Sequence, residues 1–312
     1  MLKSIKINLK ERRFMKIEEI LKNAIRELKK NNINEPTLKA KILLSYVLNV
    51  EKEYLIIHNN EEVLSNKINT FNKYINRLIN NEPIQYITAK QEFYGIEFMI
   101  NKNVLIPQPD TEILVEEIIS ICENSILGDK NKTIHILDLC TGSGAIGIAI
   151  AKNIENCNVM LSDISREALN VANMNCKKIL GGNSYFDTSN VNKKIQTIQS
   201  DLFENINDKF DIIVSNPPYI KTDVIKTLPK EVQKEPKLAL DGGEDGLEIY
   251  KKIINEGYNY LNQDGYLCLE IGYDQKKEVI ELLNKSKKYK DIYSKKDLAG
   301  NDRIVICKRR DK

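Results

Sequence analysis

The chain has 312 residues, with 47 basic and 44 acidic side chains, a net charge of +3 and 42% apolar residues. That length allows two domains with separate cores, and so even a charge balance sets up no bulk field toward nucleic acid or a membrane surface. The six cysteines (Cys122, Cys140, Cys157, Cys176, Cys268 and Cys307) form no Cys-x-x-Cys pair and the two histidines (His58 and His135) have no ligand spacing, which argues against a disulfide scaffold and against a metal site.

Residues 1–14 read as a leader outside the folded part, with Met15 as an alternative start, and they lack the apolar core and cleavage site of a secretory signal. No apolar run approaches the roughly 20 residues of a membrane span, so a cytoplasmic protein is expected. From there the spacing of Ile17, Ile20, Leu21, Ala24, Ile25 and Leu28 predicts a helix. Pro36 suits the first turn of a second helix, which carries Leu38, Ile42, Leu43 and Tyr46. After the short run Tyr54 to Ile57, a longer helix is expected with Val63, Leu64, Ile68, Phe71, Ile75, Leu78 and Ile79 on one side. Together these predict a small all-α domain over residues 15–81.

Residues 82–104 read as an extended linker, with Gly95 turning a hairpin between Phe93 and Phe98. A second domain is expected over 105–312. After a helix at 112–123 its strand candidates fall at 134–139, 158–162, 195–199, 211–215, 265–271, 289–294 and 303–308. Helices between most of them imply an α/β fold with a mainly parallel, doubly wound sheet. The short last loop permits an antiparallel final strand. The polar stretch 181–194, which lengthens the way into the third of these strands, reads as a surface loop.

The chemistry-bearing residues follow strand ends. Residues 134–147 read as a strand, a glycine-rich turn (Cys140, Thr141, Gly142, Ser143, Gly144) and a helix start. The small residues admit a ligand to the backbone, and helix N–H groups face it. Asp163, after the next strand, can take both ribose hydroxyls, which completes a pattern shared by dinucleotides and S-adenosylmethionine. Asp138, just before the turn, would repel a pyrophosphate and attract an ammonium, which favours S-adenosylmethionine. Asp201, with Leu202 or Phe203, suits an adenine amine and ring face. Finally Asn216-Pro217-Pro218-Tyr219 closes a strand with a rigid slot. The Asn216 side-chain oxygen and the Pro217 carbonyl can each accept one N–H of an –NH2 group, and Tyr219 can cover its flat face.

These residues resemble the N5-glutamine methyltransferases that modify peptide chain release factors. The likeness extends upstream through Glu82-Pro83-Ile84-Gln85-Tyr86-Ile87, Phe93-Tyr94-Gly95 and the segment Leu105 to Glu112, and downstream through Glu235 to Gly243 and Asn301-Asp302-Arg303. It implies a Rossmann-like class I methyltransferase with a seven-stranded sheet and helices on both faces. It further implies S-adenosyl-L-methionine as cofactor and, as substrate, the glutamine of the Gly-Gly-Gln motif of class-1 release factors. The N-terminal helices would help grip that protein. A monomer with no metal, no stable nucleic acid and no membrane is expected. In this reading Asn216, Pro217 and Tyr219 act in catalysis; Asn216, Pro217, Pro218 and Tyr219 hold the substrate; and Asp138, Cys140, Thr141, Gly142, Ser143, Gly144, Asp163, Asp201, Leu202 and Asn216 hold the cofactor. Three positions depart from the family pattern: Gln108 replaces an Arg, Cys140 a common Gly, and Leu202 the aromatic of some relatives. Two other readings use the same residues. One is a methyltransferase for an exocyclic amine of a nucleic-acid base, with the basic leader (Lys3, Lys6, Lys10, Arg12, Arg13) and Lys308-Arg309-Arg310 as contacts. The other is a module that binds S-adenosylmethionine without catalysis.

Overall fold

The computed structural model describes residues 14–124, 132–181 and 195–311. Most of the leader and nearly all of the 181–194 loop therefore lie outside the described residues. The chain divides between Thr88 and Ala89 into two compact units.

The first unit comprises β1 (Phe14–Lys16), α1 (Ile17–Lys30), α2 (Pro36–Leu48), α3 (Tyr54–Ile57), β2 (Glu62–Leu64), α4 (Ser65–Ile79) and α5 (Ile84–Thr88). Its core runs through Ile17, Leu28, Leu43, Leu44, Phe71 and Ile75. Four details differ from the sequence expectations. Phe14, assigned to the leader, pairs with Leu64, because Met15 and its partner Val63 bury their side chains in the same core. For that reason Val63 and Leu64 belong to a strand and α4 starts only at Ser65. On α2 the buried stripe is Ala40, Leu43, Leu44 and Val47, while Leu38 and Tyr46 face outward. A helix apolar on most sides does not declare its inner face by period alone. Residues 84–88, expected to be extended, form a helical turn: the Pro83 carbonyl accepts from the N–H groups of Tyr86 and Ile87, and Ile87 joins the core.

The second unit opens with a hairpin, β3 (Lys90–Phe93) and β4 (Ile96–Met99), whose two turn residues Tyr94 and Gly95 both have positive φ, the conformation a two-residue hairpin loop requires. There follow α6 (Glu112–Asn124), β5 (Ile134–Leu139), α7 (Ala145–Asn153), β6 (Cys157–Asp163), α8 (Arg166–Leu180), β7 (Ile195–Gln199) and β8 (Phe210–Ser215). The chain continues through α9 (Lys237–Leu240), α10 (Glu248–Gly257), β9 (Leu261–Glu270), α11 (Lys276–Ser286), β10 (Tyr289–Lys296) and β11 (Asp302–Arg309).

The seven strands of the main sheet run in the order β10-β11-β9-β8-β5-β6-β7, and only β11 is reversed, antiparallel to both of its neighbours. One face packs Leu137, Leu139, Ile213, Leu267 and Leu269 against Tyr250 and Ile253 of α10 and Val279 and Leu283 of α11. The residues between them point the other way, toward α7, and β8 is buried along its whole length. A parallel strand covered on both faces reads as a continuous apolar run, as Ile212-Ile213-Val214 does. Strand order reverses between β5 and β8, and their register sets Leu139 beside both Ser162 and Ser215. The next residues along each strand, Cys140, Asp163 and Asn216, therefore leave the sheet at one edge, where such sheets hold ligands.

Gly147 brings α7 onto the sheet. A Cβ there would overlap Leu161 and sit 3.0 Å from Asp138 Oδ2, whereas one on Gly142 would meet nothing within 4 Å. Gly147→Ala should lower the unfolding free energy in urea by about 1–3 kcal/mol, and Gly142→Ala by only about 1 kcal/mol, from its left-handed backbone. Equal losses would contradict this packing.

Candidate active site

Three left-handed residues, Cys140 (φ 59°), Gly142 (φ 57°) and Gly144 (φ 81°), coil the chain between β5 and α7. Two carboxylates hold this coil. Asp163 accepts from the Gly142 N–H through Oδ2 and from the Ser165 N–H through Oδ1, each at 2.8 Å, which ties the β6 end to the β5 turn. Asp138 accepts through Oδ2 from the Thr141 hydroxyl at 2.6 Å and the Gly147 N–H at 2.9 Å. Its Oδ1 is buried with no hydrogen-bond partner. Burial raises the Asp138 carboxyl to about 7, against those two donors, and the charge of Asp163 adds to the rise.

A crevice opens beside the coil, lined by Cys140, Gly142, Asp163, Asp201, Leu202 and Asn216 together with Ser162, Pro218 and the apolar walls Val104, Leu105 and Leu238. Its space, counted out to the open mouth, is about 920 Å3. Asp138, Thr141, Ser143 and Gly144, expected around the cofactor, do not line it. Thr141 backs Asp138, the Ser143 carbonyl accepts from Asn175 Nδ2 at 2.9 Å, and Gly144 closes the turn on Thr141. The choice between Leu202 and Phe203 resolves by direction: Leu202 (φ 48°) faces the crevice, while Phe203 stacks on Tyr260 in the core at 4.6 Å between ring centroids. Asp201 stands exposed at the rim. Cys140 lines the crevice, its side chain packs against the core below, and burial, reinforced by the charge of Asp163, pushes the thiol pKa far up.

Asn216 lies at a junction. It lines the crevice and also an adjoining pocket with Gln108, Tyr219, Glu235 and Glu270. Its Nδ2 donates to Thr111 Oγ1 at 3.4 Å. Among the described residues neither its Oδ1 nor the Pro217 carbonyl receives a hydrogen bond. Pro217 is buried and its ring lines neither cavity; Pro218 lines the crevice and Tyr219 the pocket. The Tyr219 hydroxyl donates to Glu270 Oε1 at 3.3 Å, and burial raises its pKa. Gln108, in place of the Arg of the pattern, donates to the Ile106 carbonyl, so no cation stands there.

Thr111, Glu235 and Glu270 were not singled out as site residues from sequence. Glu235 Oε2 accepts from the Ile106 N–H at 2.9 Å and so fastens one pocket wall. The only sequence signal for Glu270 is a carboxylate ending the apolar run Leu267-Cys268-Leu269. Arg303, mostly buried, pairs with Asp297 at 3.0 Å and Asp110 at 3.2 Å.

A Rossmann-like sheet with one reversed strand next to its edge, and with an acid at each of the β5 and β6 ends around a glycine coil, places the chain among the class I methyltransferases. The "PrmC N-terminal domain" family model matches residues 19–88 and the "Methyltransferase small domain" model matches residues 125–297. The chain is 38% identical to "Release factor glutamine methyltransferase" of Clostridium acetobutylicum, with 95% of this chain and 99% of that protein covered. It is 39% identical to "Bifunctional methyltransferase" of Rickettsia typhi over 93% of its own length and 56% of that protein, and so spans about half of that relative. Among solved structures, the hMettl16 catalytic domain in complex with the MAT2A 3'UTR hairpin 6 superposes with a TM-score of 0.52 at 14% identity, covering 81% of this chain and 86% of that one. That likeness concerns the fold alone. The chain belongs to the release factor glutamine methyltransferase family.

Burial holds Asp138, Glu235 and Glu270 each at about 7. Their folded pKa values exceed unfolded values near 4, so the stability each contributes is complete below about pH 4 and disappears as pH rises through about 7. Asp138→Asn removes one such titration. In urea unfolding of the ligand-free protein its advantage over the parent chain should grow between about pH 5 and 8, by on the order of 1–4 kcal/mol. An advantage independent of pH would show that Asp138 is ionised throughout.

Proposed function

We propose that this chain transfers a methyl group from S-adenosyl-L-methionine to the side-chain amide nitrogen of the glutamine in the Gly-Gly-Gln motif of class-1 peptide chain release factors. The observation that carries the reading is the place of Asn216 at the junction of two cavities, with its side-chain oxygen unengaged. One cavity has the acids and glycine coil suited to the cofactor, and the other sets Gln108, Tyr219, Glu235 and Glu270 among apolar walls, which suits an amide.

The residues fit the cofactor on three points. Asp138 Oδ1 is a buried acceptor without a hydrogen-bond partner behind the coil, and its carboxyl would favour an ammonium at the crevice. Asp163 is immobilised by two backbone donors at the crevice wall, and its remaining lone pairs would take ribose hydroxyls. Gly142 leaves open space where a side chain would intrude. When bound, the cofactor supplies a methyl on a sulfonium, an electrophile that needs no further activation.

The amide nitrogen is the difficult partner, because its lone pair is delocalised into the carbonyl. Asn216 Oδ1 and the Pro217 carbonyl accept its two N–H groups. This favours localisation of the lone pair as the N–C bond forms, and stabilises the positive charge growing on nitrogen until one N–H proton leaves. Pro217 and Pro218 hold both acceptors still, and Tyr219 covers the amide plane. The walls around Leu105 exclude water and hold the two reactants in line. The reading in which Lys308 and Arg309 contact nucleic acid is weakened by their engagement within the unit. Lys308 Nζ lies 5.0 Å from the Tyr266 ring centroid, and Arg309 lies over Tyr258 and donates to the Leu261 carbonyl.

The test is labelled methyl transfer from S-adenosylmethionine to a purified class-1 release factor, run beside DNA and tRNA. Label should enter the release factor at glutamine, and incorporation into nucleic acid alone would overturn the substrate. Asn216→Ala should lower kcat by about 100- to 1,000-fold with cofactor affinity nearly unchanged in calorimetry. Asp163→Ala should weaken cofactor binding by about 10- to 100-fold. If Asn216→Ala lost cofactor affinity in step with rate, Asn216 would belong to cofactor binding instead.

A further inference from the structure

Asn175, within α8, is fully buried (0% exposed), so each of its polar atoms must find a partner inside the protein. It finds them on two stretches of chain remote from each other in sequence. Its Oδ1 accepts from the Met99 N–H at 2.7 Å and its Nδ2 donates to the Met99 carbonyl at 2.9 Å, so the side chain pairs with the end of β4 as another strand would. Nδ2 also donates to the Ser143 carbonyl at 2.9 Å, in the glycine coil.

Neighbouring residues on the same side of α8 reinforce both attachments. Ala172 lies against the coil: a Cβ on Gly144 would stand 3.3 Å from the Ala172 Cβ. Lys178 donates to the Glu97 carbonyl of β4 at 3.2 Å and pairs with the Glu97 carboxylate at 2.8 Å. Each attachment leads straight into the crevice. Cys140 and Gly142 of the coil line it, and so do Asn103, Val104 and Leu105. Only residues 100–102 separate Met99 from that wall, and the chain turns there: the Asn103 N–H donates to Asn101 Oδ1 at 2.9 Å and the Val104 N–H to the Asn101 carbonyl at 3.2 Å. A turned tether this short has almost no slack, since even a fully extended chain gains only about 3.5 Å per residue.

We infer that Asn175 is a positioning residue for cofactor binding: one buried amide holds the glycine coil and the root of the 103–105 wall at a fixed separation, and so sets the gap that the cofactor enters. The inference rests on the reading of this crevice as the S-adenosylmethionine site. Neither attachment can shift without leaving a buried donor or acceptor unpaired, and that penalty keeps the gap at one width before the cofactor arrives. An amide suits this task because it offers two donors and an acceptor from one rigid plane. An Asp in its place would aim oxygens at two carbonyls, and a Leu would leave three backbone groups unpaired. Asn175 lines neither cavity, so it acts on the cofactor through the chain it holds and leaves the slot at Asn216 alone.

The experiment compares the parent chain with Asn175→Asp, Asn101→Gly and Leu283→Ala. Calorimetry gives the affinity for S-adenosylmethionine, methyl transfer to a release factor gives kcat and both KM values, and thermal melting reports folding. Asn175→Asp keeps the shape and the bond from the Met99 N–H but loses both donors, and should weaken cofactor binding by about 10- to 100-fold. KM for the cofactor should rise with it, while kcat at saturating cofactor and KM for the release factor stay near the parental values. Asn101→Gly removes the side-chain bond of the tether and should weaken cofactor binding by about 3- to 10-fold. Leu283→Ala truncates a core residue that lines neither cavity; it should lower the melting temperature and leave the cofactor affinity of the folded protein unchanged. Parental cofactor affinity in folded Asn175→Asp, or an equal loss in Leu283→Ala, would overturn the inference. If Asn175→Asp does not fold at the assay temperature, Asn101→Gly decides: weaker cofactor binding with kcat kept supports the inference, and parental binding overturns it. A parent chain that binds no S-adenosylmethionine would instead strike the reading of the crevice itself.

Discussion

The Asp138 carboxylate is the fastening on which the rest of the site depends. One oxygen takes a hydroxyl from the coil and an N–H from the first turns of α7, so strand, coil and helix share a single anchor. The absence of a side chain at Gly147 lets the helix approach closely enough for that bond. Asp163 then ties the coil to the neighbouring strand. A left-handed coil of three residues would otherwise be strained and mobile. Here it is over-determined, which is the condition under which unfavourable backbone angles persist at functional sites.

From this fastening the crevice follows by topology. Parallel strands in register end together, and the reversal of strand order between β5 and β8 leaves a gap above their ends. Asn216 therefore reaches the same gap as Asp163 even though far-separated stretches of chain supply them. The β8 strand is buried on both faces, so its end is among the stiffest points of the sheet. A slot meant to align atoms gains from standing there rather than on a loop.

Much of this was legible in the residues. The glycine coil, the acids after strands and the Asn-Pro-Pro-Tyr corner are local patterns, and local patterns survive without a structure. The hairpin at Tyr94-Gly95 was readable for the same reason. What was not legible depends on direction or distance. Asp138 could be placed at a strand end, but only the sheet shows that it points behind the coil rather than into the crevice. Leu202 and Phe203 are adjacent and both apolar, and the left-handed angle at Leu202 decides which turns outward. Thr111, which accepts from Asn216, and Glu270, which accepts from Tyr219, stand far from those residues in the chain, and nothing in either neighbourhood marks the pairing. The helical turn at 84–88 and the start of α4 at Ser65 depend on tertiary burial of Ile87 and Val63, which local propensity does not record.

The Cys140 thiol has a consequence for chemical self-protection. Cys140 lines a cavity proposed to hold an alkylating agent, and a thiolate so close to it would be a suicide target. Burial and the nearby carboxylates keep its proton in place, and a protonated thiol is a poor nucleophile. The same surroundings that fit the crevice to its reagent thus render its own wall inert to it.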